Sequence, residues 1–152
     1  MKTKILVIAL ICIASLGAQA QTQAPGPGPA STAGQVCRVI QFGTKPGKNG
    51  EFTRFRREHL KPLLEEQKKQ GLILSYAFFT KPVSNGPDDW DVAQMTCFKN
   101  YADAIDFDAV RAAKFIDIAL KHYGSNEAMT KANDSQFEMR VIFSSFLMRE
   151  QI

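Results

Sequence analysis

Few side chains in this chain are suited to chemistry. His59 and His122 are its two histidines, Trp90 is its single tryptophan, and its three cysteines stand at positions 12, 37 and 97. His59 lies on or beside the apolar face of an amphipathic helix, next to aromatic strands. A histidine there serves either as a ligand-pocket group or as a partly buried, hydrogen-bonded structural residue. Tyr76, Trp90 and Gln94 are the polar-tipped residues of the central strands. With His59 they form the candidate ligand-pocket set, set against the default of core or interface packing. His122 falls at a helix end beside Tyr123 and Gly124, where an imidazolium complements the C-terminal dipole.

Metal and nucleophile chemistry lack their patterns. The chain has no HExxH, no CxxC and no pair of histidines at helical spacing, so no metal site is expected. No G-x-S-x-G elbow occurs, so no catalytic residue can be assigned. Asp88 and Asp89 sit in a turn and read as solvated. Asp103, Asp106 and Asp108 fall near a helix start, where acidic groups suit the dipole. Arg54, Arg56 and Arg57 read as a solvated helix face.

These residues must be positioned by a small set of elements. Residues 73–98 read ILSYAFFT, KPVSNGPDD and WDVAQMTCF: a strand, a turn-rich loop with Pro82, Asn85, Gly86 and Pro87, and a second strand. Upstream, VCRVIQFG is strand-like from Val36, and KPGKNG is a turn, with Asn49 as the expected N-cap of the next helix. Phe52, Phe55, His59, Leu60, Leu63 and Leu64 then recur at steps of three and four, one face of an amphipathic helix. Pro62 must kink that helix or leave a carbonyl unpaired, and Gly71 is placed to stop it. Downstream, Asn100 caps a helix running from 102 to 123, broken near Phe107 and Asp108 and ended by Gly124. Residues 125–135 are polar and read as a loop with at most one helical turn, and 138–148 as the last strand. The order β-α-β-β-α-β is the ferredoxin-like, α+β arrangement, with the first strand between the third and fourth.

The N-terminal part has a different character. Lys2 and Lys4 precede an apolar run at 5–16, too short to span a bilayer as a mature helix, and Ala18-Gln19-Ala20 suits signal peptidase. Residues 1–20 are therefore expected to be an export signal and the protein periplasmic or secreted, without a membrane span in the mature chain. Acylation at Cys12 is rejected because Ile11 is too bulky for that cleavage site. Residues 21–34, rich in Pro, Gly and small polar residues, read as a flexible linker, and 35–152 as the folded domain. The 19 Lys+Arg against 15 Asp+Glu become 17 against 15 once Lys2 and Lys4 are removed, a net of +2. So mild a charge does not argue for nucleic acid.

The strands carry apolar residues on both faces. In the last strand Met139, Val141, Phe143 and Leu147 point one way and Ile142, Phe146 and Met148 the other. A singly covered antiparallel sheet should alternate apolar and polar. Two helices cover one face, and the simplest cover for the other is a second copy of the sheet, so a homodimer is expected.

With its strand, K-P-G-K turn, amphipathic helix, aromatic hairpin and closing strand, the segment 36–147 resembles the dimeric α+β barrel superfamily. That group includes antibiotic-biosynthesis and haem-degrading monooxygenases, EthD-like and NIPSNAP-like proteins, and uncharacterised exported proteins. The resemblance implies a barrel that binds a small apolar or aromatic ligand; a monooxygenase, cofactor-free or haem-using, and a pure interaction module are the alternatives. For haem, it implies roles for Trp90 and His122, while the first strand offers Gln41 in place of the Asn those members use. Cleavage of the signal leaves Cys37 and Cys97 on antiparallel neighbours, the start of one strand beside the end of the other. They are expected either to bridge or to stand as two buried thiols, according to the strand register.

Overall fold

The first strand brings Val36, Val39, Ile40 and Phe42 together, and its β-branched and aromatic side chains suit an extended backbone flanked on both sides. The computed structural model describes residues 33–83, 86 and 88–151; the expected export signal, the linker up to residue 32 and positions 84, 85 and 87 of the hairpin loop lie outside them. Strand β1 is Ala33–Thr44, β2 Ser75–Thr80, β3 Val92–Phe98 and β4 Arg140–Gln151. They form one antiparallel sheet in the order β2-β3-β1-β4. This is the ferredoxin-like strand order, and the fold is α+β.

The boundaries differ from the expectation in all four strands: β2 and β3 each begin two residues later, at Ser75 and Val92, and β1 and β4 extend beyond it. Pairing of Ala33 with Gln151 draws the last two residues of the expected linker into β1. A polar carboxy end notwithstanding, β4 runs on to Gln151, because β1 offers it partners along that length.

A long helix follows β1 in three segments: α1, Asn49–Phe55; a π-helical turn, Arg56–Leu60; and α2, Lys61–Lys69. Asn49 is its first helical residue and not its cap. The Lys48 amide closes a turn onto the Lys45 carbonyl at 2.9 Å, with Gly47 at φ 76°, so the chain enters the helix one residue early. Pro62 explains the π-turn. It has no N–H for the carbonyl four residues back, and its ring would collide with that carbonyl in regular α geometry. Widening the preceding turn relieves the collision without ending the helix. Gly71, at φ 71°, stops α2 in a Schellman arrangement: its amide reaches the Lys68 carbonyl and the Leu72 amide reaches that of Gln67.

The second helical region is broken where expected. Asn100 accepts from the Asp103 amide to cap α3 (Tyr101–Ile105), and Asp108 accepts from the Arg111 amide to cap α4 (Ala109–Tyr123). Arg111 holds the break, with Nη1 on Asp103 at 2.6 Å and Nη2 on the Asp106 carbonyl at 2.7 Å. The expected loop that follows is instead a helix, α5 (Asn126–Met139), capped by Ser125 on the Ala128 amide. Its polarity conceals it in sequence because only a narrow stripe, with Ala132, Gln136 and Met139, turns inward. Ala132 and Met139 pack on Phe42, Phe52, Phe55 and Val92, so α5 joins the helices already covering one face of the sheet. A second cluster on the same face unites Val36, Leu64, Ile73, Phe98 and Ala104.

Cys37 is directly opposite Cys97 in the β1–β3 register, their Cα atoms 3.9 Å apart, and the two sulfurs are joined as a disulfide at 2.06 Å. The Cys97 carbonyl accepts from the Leu74 amide on the β2 side, so toward β1 this is a non-hydrogen-bonded pair, where side chains approach most closely. The bridge closes a loop of 60 residues spanning the long helix and the hairpin. Chain entropy then puts its contribution at about 4 kcal/mol. The double variant Cys37→Ser/Cys97→Ser should lose stability of that order in urea unfolding of the oxidised protein. It should match the wild type once both are reduced; equal midpoints before reduction would contradict the assignment.

Candidate functional site

Two constellations of polar side chains lie along the long helix. The first is built on the π-turn. The extra residue rotates the helix surface so that His59 points at α4, where Nδ1 of His59 lies 3.1 Å from Nε2 of His122. One nitrogen carries the proton that the other accepts. The His59 ring also stacks on Tyr123, with centroids 5.4 Å apart and planes at 28°, and tilts against Phe55 at 4.9 Å. Burial and the neighbouring His59 hold His122 below the ordinary histidine value of 6.5, and burial pushes the Tyr123 hydroxyl up. His122 stands in the last turn of α4, as expected, but its Nε2 is turned to the His59 ring. The two histidines, 63 residues apart in sequence, meet as a pair.

The second constellation is built on Arg56. Phe52 and Arg56 are four residues apart, hence on one side of the helix, and Arg56 is half-buried. Its guanidinium lies over Phe52 at 5.4 Å and over Phe78 of β2 at 5.5 Å. Nη2 makes only a long contact, 3.4 Å, with Thr53 Oγ1, and buried Nε has no partner among the described residues. Desolvation lowers the Arg56 pKa, and Asp91 works in the opposite direction from further away. Asp91 itself accepts from the Thr44 amide at 3.0 Å. Thr53, Arg56, Arg57, Lys61, Phe78 and Thr80 line a groove of about 300 Å³ between the helix and edge strand β2. The expectation that Arg56 belongs to a solvated face is therefore overturned. Its spacing from Phe52 was the available signal.

A second cation shares the Phe52 ring: the Arg140 guanidinium lies 5.6 Å from its centroid. Arg140 packs over Phe42 at 4.0 Å and donates to Gln136 Oε1 at 2.8 Å. Burial drives its pKa down to about 10, and its Nε and Nη1 have no partner among the described residues.

The four candidate pocket residues are distributed over different surroundings. Tyr76 donates its hydroxyl to Glu65 at 2.6 Å, and desolvation with that bond raises its pKa to about 12. Its ring meets Phe78 edge-on at 5.9 Å, so it adjoins the Arg56 groove. Gln94 pairs with Phe78 across the β2–β3 ladder and donates to Thr96 at 3.3 Å. Trp90 precedes β3, with the Lys81 ammonium 5.1 Å from its ring. His59 is held by His122 and Tyr123 as described.

No family model matches the sequence, and no curated protein matches it. Among solved structures, a dimeric protein of unknown function and ferredoxin-like fold from Bacteroides fragilis is similar. It shares 13% identity over 78% of this chain and 96% of that one, with a TM-score of 0.43.

The residues suggested for haem do not fit it. Nε2 of His122 faces the His59 ring at 3.1 Å, where an iron would have to stand, and Trp90 belongs to a separate cluster with Lys81. Among the described residues no group of three or more His, Cys, Asp and Glu could hold a metal ion, and no helix is long and apolar enough to cross a membrane.

The histidine pair makes a pH prediction. Because the folded His122 pKa lies below 6.5, the unfolded chain binds this proton more tightly. The stabilising contribution is complete above about 6.5 and is lost as pH falls from there through the folded value. Imidazole NMR titration should give His122 a midpoint below 6.5, moving up toward that value in His59→Gln. A midpoint unchanged by that substitution would show that the two rings do not interact.

Proposed function

We propose that this protein is exported, dimerises sheet to sheet and binds a small apolar or aromatic ligand. The observation that carries the assembly is the open face of the sheet. All the helices pack on the other side, yet Phe79, Val141, Phe143, Phe146 and Met148 present an apolar surface here, each between 40% and 47% exposed. A β-bulge between Gln41 and Phe42 of the β1–β4 ladder produces part of it. Val141 pairs with Gly43, and the Phe143 ring lies where a side chain at position 43 would have been, 2.1 Å from its Cβ position. Phe143 and Phe146 therefore share this face, against the expectation that they point opposite ways. The polar atoms at its centre satisfy one another, since Ser144 Oγ donates to Gln41 Oε1 at 2.7 Å. Such a face can leave water without orphaning polar groups.

Export is supported by the charged and apolar pattern of residues 1–20 and by a cross-strand disulfide, a bond that persists in oxidising compartments. Ligand binding is supported by the groove beside Phe78.

The mature chain should begin at Gln21 by N-terminal sequencing. It should run as a dimer in light scattering at micromolar concentration, burying well over ~1,000 Å². Phe146→Glu should convert it to a folded monomer, because the glutamate would face the partner's apolar sheet. A wild-type monomer under those conditions would rule the assembly out.

A further inference from the structure

We infer that the groove between the π-turn and β2 takes an organic anion, a carboxylate on a small apolar or aromatic body. Arg56 and Lys61 would hold the carboxylate, and Phe78 and the threonine methyls would wall the body. The inference rests on the ligand-binding reading above and adds a place and a charge to it.

The counter-charges of these cations are remote or exposed, Asp91 acting on Arg56 only from further away. Arg56 has given up part of its hydration, yet among the described residues no carboxylate forms an ion pair with it or with Lys61. Arg57 meets only the exposed Glu58, at 3.2 Å. A partly desolvated cation without an anion is under-compensated. The buried Nε of Arg56 has no acceptor among the described residues, which adds to the cost of burying this guanidinium. Three positive side chains within one and a half turns repel one another, and an anion between them relieves that repulsion.

The groove also has shape. The Arg56 guanidinium already lies over the rings of Phe52 and Phe78, which restricts it before binding. A guanidinium fork matches a carboxylate in two parallel hydrogen bonds. A volume of about 300 Å³ is at the small end of ligand sites. Thr53 and Thr80 add one hydroxyl and one methyl each. A bare inorganic anion would leave the Phe78 side of the groove unused, which favours a carboxylate with an apolar body.

Benzoate is a suitable probe of the mature, disulfide-bonded protein, with benzyl alcohol and inorganic phosphate as comparisons and amide NMR shifts as readout. Benzoate should shift the amides of Thr53, Arg56, Phe78 and Thr80, and bind at least tenfold more tightly than either comparison. Arg56→Gln should weaken benzoate at least tenfold. Lys61→Gln alters only an exposed position, so it tests the charge without risk to the fold, and should weaken benzoate several-fold. Benzyl alcohol binding as well as benzoate at these amides would overturn the anion assignment while leaving ligand binding in place. Phosphate binding as well as benzoate would overturn the apolar body. Benzoate affinity unchanged in Lys61→Gln and Arg56→Gln would overturn the roles of both residues. An absence of shifts with all three probes would overturn this site and remove the groove's support for ligand binding.

Discussion

Everything in this fold depends on β1 being hydrogen-bonded on both sides. β3 takes one edge of it and β4 the other, both antiparallel, so the first and last strands meet although almost the whole domain separates them in sequence. That arrangement sets which residues lie against the helices, Val36, Ile40 and Phe42 among them, and which face the open side. It also brings Cys37 opposite Cys97, at the pair type where an antiparallel ladder is narrowest. A cross-link at that point ties the strand to the hairpin at the heart of the sheet.

The long helix shows how one local conflict shapes a surface. Pro62 cannot be accommodated in regular α geometry, and the chain answers by widening the turn ahead of it. That turn carries Arg56 at its start and His59 near its end, and the two side chains leave in different directions. One reaches β2 and lies between two phenylalanine rings, and the other reaches α4 and a second histidine. The two constellations have opposite electrostatic characters. The histidine pair disfavours a second proton, whereas the arginine groove concentrates fixed positive charge that no pH near neutrality removes. The groove therefore offers a permanent cation, and the pair offers a histidine, His122, held below its ordinary value by burial and by His59.

The uncovered face and the groove lie on opposite sides of the sheet, since Phe78 is turned toward the helices and Phe79 away from them. Sheet-to-sheet assembly would leave the groove open. Substitutions at Phe146 and Lys61 would therefore alter opposite sides of the sheet.

The sequence by itself determined the element order, the strand order and the class of the fold, because periodicity, turn residues and handed crossovers are local or nearly local constraints. It also located the helix stops at Gly71 and Gly124, the cap at Asn100 and the break near Asp108, where one residue's own chemistry decides the geometry. It missed α5, whose inward stripe is too narrow to show in a polar segment, and it placed Arg56 in water. Only the tertiary structure decided those, together with the bulge that turns Phe143 to the open face and the meeting of His59 with His122. Each depends on contacts between segments far apart in the chain: a helix meeting α4, a ladder register, a helix docked on α1 and β1. No pattern within a single segment encodes the partner that such a contact requires.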